Sequence, residues 1–584
     1  MPQKFSNKEI VSLLKEVLAS MEVKNYQFFK IRAYQNAIAV LDNLTTAIYD
    51  IWEAGNLDDI PAIGVTLSQH LDELFRTGKV KEFEHAKKDL PEGMFGLLSL
   101  RGIGAKKAFK LASTFKLTNK ETAIEKLKEY AQKGQIKVLP GFGDKSEKGV
   151  LSSIEQTRVS KSEKERTLLI KAEEIVYRIL KYMKELDCVK EIEAAGSYRR
   201  RNATVGDLDI PVASTDPDKT MAHFLKYHEI DEVATKGDKR STVILKNGMQ
   251  ADLYICDPKA YGAMLQYFTG SKQHNIVLRT YALEKGLSLS EYGIKKKGSD
   301  KIIEFSNEED FYKYLGLQYI PPELRNGTNE VELAIKHELP HLIELKDIKG
   351  DLHMHTNASD GVNTLDEMID AAVALGYEYI GIADHAPSIQ TRGEHIVERI
   401  IEKRREDINN LNKNQKKFKV LLGYEVSILA ESGLALPDEF LKKLDYVIAG
   451  IHTSFSQDKE HITKRLLSAI ENEYVDIIAH PMGRLLNERN ACDVNWEKVF
   501  DAAAKNKKIL EINSYPNRLD LDYDLVRMAL DRGVKIIINT DAHETSQLLF
   551  MRCGIDVARR AGCEKKDVLN TLPLSVFVKH LRLK

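Results

Sequence analysis

Residues 196–210 of this 584-residue chain read GSYRRRNATVGDLDI, and they decide which fold we expect around them. Asp207 and Asp209 stand two positions apart at the start of an apolar run, residues 208–213, that predicts a β-strand. Alternate strand residues share one face, so both carboxylates should point the same way. Adjacent carboxylates repel unless cations lie between them, which suits oxygen-preferring metal ions. The stretch therefore predicts a metal site at the start of a strand.

The residues before this strand favour a phosphate ligand. Gly196 and Ser197 offer backbone N–H groups and a hydroxyl in a predicted turn, and three arginines follow with forked donors. A lone Asp-x-Asp pair is most often a solvated turn, but the Gly-Ser pair and the arginines beside it favour a functional site. We interpret the combination as a site for metal-assisted phosphoryl or nucleotidyl transfer.

The composition indicates a multidomain protein. At 584 residues, 43% of them hydrophobic, the chain has enough material for about four domains of ordinary size. No apolar run is long enough to cross a membrane, and the first ten residues lack the apolar core of a signal peptide. The five cysteines form no CxxC pair and are an odd number, so we expect a reduced, cytoplasmic enzyme.

Charge is distributed unevenly along the chain, although the net charge is −1. Residues 101–200 carry 23 Lys and Arg against 14 Asp and Glu, whereas residues 301–400 carry 8 against 19. The basic excess precedes and includes the opening stretch, where a polyanion would be held. A second site is expected where the acidic excess begins.

A short motif recurs three times before the opening stretch, in residues 60–64, 100–107 and 139–145, with a period of about forty residues. Each copy is an apolar residue, a tight G-x-G-like hairpin and the start of a helix, which exposes unpaired N–H groups to a DNA phosphate. The pattern resembles the helix-hairpin-helix motif, which binds the DNA backbone without reading bases. The expected DNA-binding residues are Gly64, Gly102, Gly104, Lys106, Gly141, Gly143 and Lys145.

Downstream, residues 241–246 and 251–255 predict a β-hairpin around Asn247-Gly248. It carries Asp252, an acid on an otherwise apolar strand, which we interpret as a third carboxylate of the site. The competing acid, Asp257, precedes a proline and is expected to cap a turn.

From residue 1 to about 320 the chain resembles the family X DNA polymerases. GSYRR, GDLDI, YFTGS, the asparagine after it and EYG stand in that family's order. The resemblance implies an α/β nucleotidyltransferase palm with a thumb-like subdomain, acting on gapped or primer-template DNA and dNTPs. It implies that Asp207, Asp209 and Asp252 hold two Mg²⁺ or Mn²⁺ ions. Nucleotide contacts are implied for Gly196, Ser197, Arg200, Gly206, Tyr267, Phe268, Gly270 and Asn275, and a template contact for Arg279.

The sequence departs from that family in two places. The first hairpin has Ala62 where the motif usually has glycine. His70 stands where members with deoxyribose-phosphate lyase activity carry a Schiff-base lysine, so lyase chemistry by that route is not expected.

In the second half, seven apolar, strand-like segments between residues 350 and 543 each end in a metal-binding or polar residue. Helical patterns separate most of them, and a β/α barrel gathers a site at its strand ends in this way. The first segment contains His353-Met354-His355, whose alternate histidines face one way and can bind one ion. His395, His461 and His580 fit no strand end and are expected at the surface.

These segments resemble the PHP (polymerase and histidinol phosphatase) domain. The resemblance implies a distorted (β/α)7 barrel with a trinuclear Mn²⁺ or Zn²⁺ cluster, iron being an alternative, that cleaves phosphoesters. It further implies that Glu425 bridges two ions, while Asp360, His385 and His543 serve the third. The implied ligands are His353, His355, Asp360, His385, Glu425, His452, His480, Asp541 and His543.

Together the halves resemble bacterial and archaeal family X polymerases with a C-terminal PHP domain, a multidomain α/β architecture. The implied function is gap filling in base excision repair with 3′→5′ exonuclease activity, abasic-site endonuclease activity being a further candidate. A monomeric, cytoplasmic, nucleoid-associated enzyme is expected. The expected parts are a helical DNA-binding domain (1–85), a fingers-like domain (86–160), a palm (161–258), a nucleotide-selecting subdomain (259–320), a linker (321–346) and the barrel (347–584).

Two other functions fit parts of the pattern. One is a non-templated nucleotidyltransferase for RNA ends or small molecules with a separate small-phosphate phosphatase domain, against which the hairpin repeats argue. The other is a DNA-binding scaffold with inactive sites, against which the completely filled carboxylate and histidine positions argue.

Overall fold

The structure is a computed structural model, in which Met1–Lys164 and Glu165–Lys584 are two structural units. It describes residues 5, 7–41, 48–53, 57, 63–98, 100, 103–120, 122–139, 142–143, 147, 150–151, 154, 166–414 and 418–581. Gly102, Gly141 and Lys145, three of the predicted DNA-binding residues, lie outside these ranges.

The first unit is helical in its described part. Buried residues at positions 10, 14, 17 and 21 form one apolar stripe along its first helix, the spacing expected of an amphipathic helix. One hydrophobic cluster joins helices α1 to α5, and a second joins α6 to α8. The helices are α1 (Asn7–Val23), α2 (Phe28–Leu41), α3 (Ile48–Glu53), α4 (Val65–Thr77), α5 (Lys81–Lys87), α6 (Gly93–Leu97), α7 (Ala105–Thr114) and α8 (Ala123–Gln132).

Two of the three predicted hairpins lead into a helix as expected. Helix α4 begins directly after Gly64, and α7 begins directly after Gly104. Both glycines have extended backbone at the N-cap, and an added Cβ would meet no atom within 4 Å. The backbone at each helix start is therefore open to a ligand, which is what phosphate binding at a helix N-terminus requires. Gly143 of the third copy is described, but most of its hairpin is not.

The second unit begins with a five-stranded sheet of order β2-β4-β7-β6-β5. The predicted hairpin is confirmed as β6 and β7, and Gly248 in its turn has φ +83°. Helices α9 and α11 pack on the sheet through a shared hydrophobic cluster. The elements are β1 (Thr167–Leu168), α9 (Leu169–Met183), β2 (Val189–Ile192), α10 (Gly196–Arg199), β3 (Thr204–Val205), β4 (Asp207–Ser214), α11 (Pro217–Phe224), β5 (Ile230–Lys236), β6 (Arg240–Leu245) and β7 (Gln250–Cys256).

One local expectation differs from this structure: the Gly-Ser pair predicted to form a turn is the first turn of helix α10. Before it, Thr167 and Leu168 pair with the short strand β3, and the helix that follows spans Leu169–Met183. Asp257 caps a 3₁₀ helix, Pro258–Ala260, by accepting from the Lys259 N–H, as predicted.

A smaller α/β region follows, and its hydrophobic cluster continues through residue 342, so the predicted linker packs into that core. A fully buried ion pair joins Arg325 to Glu308 at 2.6 Å. The elements are α12 (Tyr261–Thr269), α13 (Lys272–Glu284), β8 (Leu287–Ser290), β9 (Gly293–Lys296), β10 (Ile302–Ile303), α14 (Glu308–Tyr314) and α15 (Glu330–Lys336), with a 3₁₀ helix at Pro322–Leu324.

The last region has two parallel sheets, β11-β12-β13 and β14-β15-β16-β17-β18. Parallel bridges between His385 and Glu425, and between Met354 and Ala542, join the two sheets at both ends. The strands are β11 (Gly350–Asp351), β12 (Tyr379–Ile382), β13 (Lys419–Leu422), β14 (Glu425–Ser427), β15 (Ile448–Gly450), β16 (Ile477–Ile478), β17 (Ile509–Asn513) and β18 (Lys535–Asn539).

Helices connect most of these strands. They are α16 (Leu365–Ala374), α17 (Ile389–Arg392), α18 (Glu394–Asn414), α19 (Asp438–Leu441), α20 (Lys459–Glu471), α21 (Trp496–Lys505), α22 (Tyr523–Asp531), α23 (Met551–Arg560) and α24 (Leu574–Phe577). Short 3₁₀ helices lie at Leu345–Asp347, Thr545–Phe550, Lys565–Asp567, Leu569–Thr571 and Val578–His580.

Both faces of these parallel strands are buried. Alternate strand residues fall into two different hydrophobic clusters: Ile380 and Ile382 belong to the larger one, while Tyr379 and Ala383 belong to the smaller one. Strands covered on both sides read as nearly continuous apolar runs, which is why the sequence pattern in this half is so clear.

All five cysteines are free and buried. His395, His461 and His580 are exposed, as predicted. Within the described ranges, no helix combines the length and the apolar character that a membrane span requires.

Tyr446 fills the smaller cluster, and two glycines make room for it. A methyl group on Gly381 or Gly423 would press into the Tyr446 ring or hydroxyl, which donates to the Leu352 carbonyl at 2.6 Å. We expect Gly423→Ala to destabilise this region by about 1–3 kcal/mol, since overpacked cores relax poorly. The midpoint temperature for thermal inactivation of this variant should fall by several degrees. Adding Tyr446→Leu should recover part of that loss, and strictly additive losses would contradict the contact.

Candidate active sites

The first candidate site lies on two neighbouring parallel strands of the five-stranded sheet. Asp209 on β4 is directly opposite Asp252 on β7, and Asp207 is two residues before Asp209 on the same strand. Asp252 is buried; its carboxylate accepts from the Thr242 hydroxyl and, at 2.6 Å, from the Gln250 amide. Three carboxylates from two segments of the chain therefore meet at one strand end.

Their mutual repulsion is concentrated on Asp209. Burial, then the carboxylates of Asp207 and Asp252, raise the pKa of Asp209 to about 7. A carboxyl whose ionised form is so disfavoured is stabilised by a cation, and an all-oxygen set of donors fits Mg²⁺ or Mn²⁺. The residues present thus fit a divalent ion of this kind.

Gly196 lies directly against this cluster. Its backbone has φ +60°, and an added Cβ would lie 2.6 Å from Asp209 Oδ2. The neighbouring Ala195 N–H donates to the Asp209 carbonyl at 2.7 Å. The glycine therefore lets helix α10 start beside the carboxylates, and its position depends on having no side chain. Gly206 precedes β4, where a Cβ would lie 2.9 Å from the Arg166 guanidinium.

The three arginines after Ser197 have separate roles. Arg199 is bound by carboxylates, to Glu193 at 2.8 Å and to Glu308 at 2.7 Å. Arg201 is also bound by a carboxylate, that of Glu173 at 2.7 Å. Arg200 instead donates to the Thr269 carbonyl at 2.5 Å. Burial, and next the charge of Arg560, lower the pKa of Arg200 to about 10. Of the three, Arg200 is the one whose surroundings favour an added anion.

The predicted nucleotide-binding residues at the end of α12 and in α13 lie close together. Phe268 stacks on Tyr254 with ring centroids 3.7 Å apart, and the Arg279 guanidinium lies over the Tyr267 ring at 5.2 Å. Asn275 donates to the Tyr267 carbonyl at 2.8 Å and accepts from Gln266 at 2.9 Å. Gly270 has φ +63° and lies against Arg200. These hydrogen bonds hold the Asn275 amide in one orientation.

The second candidate site surrounds Glu425. His452 and His480 approach Glu425 Oε1 with their Nε2 atoms at 2.8 Å each, and His385 Nδ1 lies 3.1 Å from Oε2. Asp360 faces three imidazoles at 3.2–3.3 Å, those of His355, His385 and His543. Asp541 Oδ1 lies 3.4 Å from His353 Nε2 and 3.1 Å from His355 Nε2. All nine residues predicted as metal ligands meet at this one place.

The donor set fits a cluster of metal ions. Three overlapping groups of side chains have ligand atoms within 4.8 Å of one another, and Glu425 belongs to two of them. His353 Nε2 and His355 Nδ1 are buried and lack a hydrogen-bond partner among the described residues, although carboxylates face both. Buried imidazole nitrogens are normally satisfied, so their arrangement suits ions held between nitrogen and oxygen donors.

Charge within this cluster is strongly coupled. Burial would raise the pKa of Glu425, but the imidazoles of His452, His353 and His385 hold it well below its usual range. Burial would lower the pKa of His355, but the carboxylates of Asp360 and Asp541 raise it to about 10. Protons on the imidazoles and metal ions therefore compete for the same carboxylates.

Glu511 belongs to this site, and the sequence reasoning missed its role. It is fully buried on β17, accepts from His353 Nδ1 at 2.8 Å and from the His480 N–H at 3.0 Å. A carboxylate behind a ligating imidazole fixes the ring and its tautomer. Its place in the sixth of the seven predicted strand segments was the available signal. Local sequence does not say which side chain it contacts. Arg518, also missed, lies 3.6 Å from Asp541 Oδ2.

Three family models match separate parts of this chain. Family models match at residues 5–80 (helix-hairpin-helix domain), 264–326 (DNA polymerase beta thumb) and 351–515 (PHP domain). The DNA polymerase/3′-5′ exonuclease PolX of Bacillus subtilis (strain 168) is 35% identical over 569 residues, covering 97% of this chain and 98% of that protein. The chain belongs to the PolX family.

The chain also has shorter relatives. A probable phosphatase of Thermoanaerobacter sp. (strain X514) is 32% identical over 235 residues, which cover 38% of this chain and 89% of that protein. A probable phosphatase of Acetivibrio thermocellus is 31% identical over 202 residues, 33% of this chain and 78% of that protein. Proteins named as probable phosphatases therefore match a third or more of this chain over most of their own length.

We expect Gly196→Ala to impair primer extension by about 100-fold or more, because the methyl group displaces the Asp209 carboxylate and small misplacements are costly. Gly248→Ala is the matched control, since it imposes a similar positive φ, +83°, where nothing lies within 4 Å. Primer extension by the two variants at equal folded concentration provides the measurement. Equal losses would indicate backbone strain alone.

We expect Glu511→Gln to weaken metal binding at the Glu425 cluster by about 10–100-fold, because it removes the charge that orients His353. Elemental analysis after dialysis against graded chelator concentrations measures this without any activity assay. The exposed Glu473→Gln variant is the control. Unchanged metal content in Glu511→Gln would show that the cluster does not need this carboxylate.

Proposed function

We propose that this chain is a DNA polymerase that fills short gaps in base excision repair and carries 3′→5′ exonuclease activity in its PHP domain. The observation that carries the proposal is the pair of distinct polar centres in one chain. Asp209 and Asp252 are opposed on neighbouring strands of one sheet, and Glu425 is surrounded by imidazoles at the ends of others. Family membership supports the same assignment.

At the polymerase site, Asp207, Asp209 and Asp252 would hold two Mg²⁺ or Mn²⁺ ions, and the chain's other residues would bind the dNTP. Bound ions would lower the pKa of a primer 3′-hydroxyl and neutralise the departing pyrophosphate. Arg200 and the start of helix α10, with Gly196 and Ser197, would bind the phosphates. Tyr267 and Phe268 would position the sugar, Asn275 the base edge and Arg279 the template strand.

At the PHP site, nine residues would hold a trinuclear cluster of Mn²⁺ or Zn²⁺, iron being an alternative. Such a cluster would activate water and clamp a phosphate. Arg518, buried beside Asp541, would add a positive charge for the DNA backbone phosphate. The nine residues are His353, His355, Asp360, His385, Glu425, His452, His480, Asp541 and His543. Abasic-site endonuclease activity is a further candidate for the same centre.

The finer architecture belongs to this proposal. Bridges at both ends of the two parallel sheets support a distorted (β/α)7 barrel over residues 347–584. The parts before it would be the DNA-binding domain (1–85), the fingers-like domain (86–160), the palm (161–258) and the nucleotide-selecting subdomain (259–320), joined to the barrel by residues 321–346. The hairpin residues Gly64, Gly104, Lys106 and Gly143, with Gly102, Gly141 and Lys145, would bind gapped DNA. We propose a monomer in the cytoplasm, associated with the nucleoid.

One observation favours a second candidate for the PHP part. Its relatives include probable phosphatases matched over most of their length, so a small phosphate ester is an alternative substrate. A non-templated transferase with such a phosphatase would be the corresponding alternative for the whole chain. Comparison of a nitrophenyl phosphate with single-stranded DNA as PHP substrates distinguishes these two cases.

A paired experiment on one 5′-labelled gapped DNA tests the main proposal. Asp207→Ala/Asp209→Ala should abolish extension and leave degradation, because it removes the polymerase carboxylates only. His353→Ala/His355→Ala should do the reverse. No extension by the unaltered chain would contradict the polymerase assignment. Loss of both activities in either variant would contradict two independent sites.

A further inference from the structure

We call residues 347–584 the PHP part and residues 166–346 the polymerase part. Helix α23 belongs to the PHP part; one side of the helix is buried there, and another side contacts the polymerase part. Met551, Ile555 and Ala558 lie in the large hydrophobic cluster of the PHP part. The contacts to the polymerase part are Arg552 to Glu173 at 2.5 Å, Asp556 to Arg201 at 2.7 Å, Arg559 to Glu323 at 2.8 Å and Arg560 Nη2 to Asn326 Oδ1 at 3.5 Å. A single helix thus carries charged side chains to several elements of the other half.

One of these contacts reaches the loop that starts the polymerase site. Arg201 Nη2 donates to Asp556 Oδ2 and to Glu173 Oε1, both at 2.7 Å. The Arg201 and Asp556 side chains are only 22% and 14% exposed, so solvent screens this pair little. Charge-assisted hydrogen bonds of this length are strong and directional. The PHP part therefore holds a residue of the GSYRRR stretch directly.

The backbone explains why this anchor matters for Arg200. Arg201 has φ +56°, a left-handed conformation that is uncommon for a residue with a side chain. The sharp turn sends consecutive side chains to different places: Arg200 to the Thr269 carbonyl, and Arg201 to Asp556. Within the same turn, the N–H groups of Arg201 and Asn202 donate to the carbonyls of Tyr198 and Ser197. The anchor and the phosphate-facing residues therefore belong to one compact loop.

The same helix also carries Arg560, whose positive charge acts on the Arg200 side chain. The Arg560 guanidinium stacks on Tyr523 at 3.9 Å, and its buried Nε has no hydrogen-bond partner among the described residues. Asn326, which contacts Arg560, follows Arg325, whose carbonyl accepts from the Ser271 N–H at 3.3 Å. Helix α23 thus supports both segments of the predicted nucleotide pocket, the GSYRRR loop and the YFTGS turn.

We propose that Asp556 is a positioning residue for nucleotide incorporation: by fixing Arg201, it holds the adjacent Arg200 in the geometry that binds dNTP phosphates. This inference rests on the proposed polymerase function. It makes the PHP part a structural component of the polymerase site, in addition to its own chemistry. The affected substrate group is the triphosphate, because Arg200 is the phosphate-facing residue next to the anchor.

The test compares variants of the full-length chain in single-nucleotide gap filling. Asp556→Ala should raise the dNTP KM about tenfold while kcat changes less than about threefold, since it disturbs a binding loop and leaves the metal-binding carboxylates in place. Asp556→Glu, which keeps the charge, should recover most of this loss. Exonuclease activity should stay unchanged in both variants, because Asp556 lies outside the Glu425 cluster.

Arg552→Met is the matched control. Arg552 lies one turn earlier on the same helix and contacts the same Glu173 carboxylate as Arg201, but it does not touch the loop itself. It should leave the dNTP KM unchanged. Arg201→Gln should raise KM as Asp556→Ala does, and the double variant should be no worse than either single change.

The outcomes separate the inference from its alternatives. An unchanged KM in Asp556→Ala, or additive effects of Asp556→Ala and Arg201→Gln, would overturn it. An equal rise in Arg552→Met would show that α23 merely docks the two parts and would also overturn it. Absence of gap filling by the unaltered chain would instead overturn the proposed function. Binding of dNTP in Ca²⁺, measured without turnover, should show the same order of variants.

Discussion

The structure depends most on holding groups of like charge together at strand ends. Asp209 and Asp252 are opposed on neighbouring strands, where burial and repulsion raise the pKa of Asp209 to about 7. The backbone ladder of β4 and β7 fixes the two Cα atoms whatever the carboxylates prefer, so the sheet supplies the free energy that the repulsion costs. In the Glu425 cluster, imidazoles and carboxylates interleave and partly neutralise one another. The two centres therefore respond differently to protons, although both suit metal ions.

Local sequence was enough to predict the elements that carry these groups. The β6–β7 hairpin, the helix starts after Gly64 and Gly104, and the turn capped by Asp257 follow from short patterns, and the structure confirms them. Spacing within one segment also put Asp207 and Asp209, or His353 and His355, on a common face. In each of these cases the interaction that decides the conformation lies within about ten residues, so periodicity and turn residues are enough to predict it.

What the sequence did not reveal depends on distant partners. The three arginines of GSYRRR look equivalent in a row of letters, yet Arg199 and Arg201 are bound by carboxylates and Arg200 is not. Glu511 stands at a strand end like several other acids, and its role is set by His353, which is 158 residues away. Partners at such separations are chosen by the packing of whole elements, which local propensity does not encode.

The contact between Arg201 and Asp556 spans 355 positions and links the two chemistries. Within the polymerase part, Glu173 is a carboxylate partner of Arg201, and the PHP part supplies a second one, Asp556, beside the left-handed turn at Arg201. Because an ion pair with little exposure is costly to break on one side only, separation of the parts would leave both Arg201 and Asp556 without their full set of partners. That cost stabilises the arrangement in which the two parts stay in contact, during either activity. The fold itself therefore links the two sites physically. Through this contact the PHP part can act on the polymerase site without any movement of the metal-binding residues around Glu425.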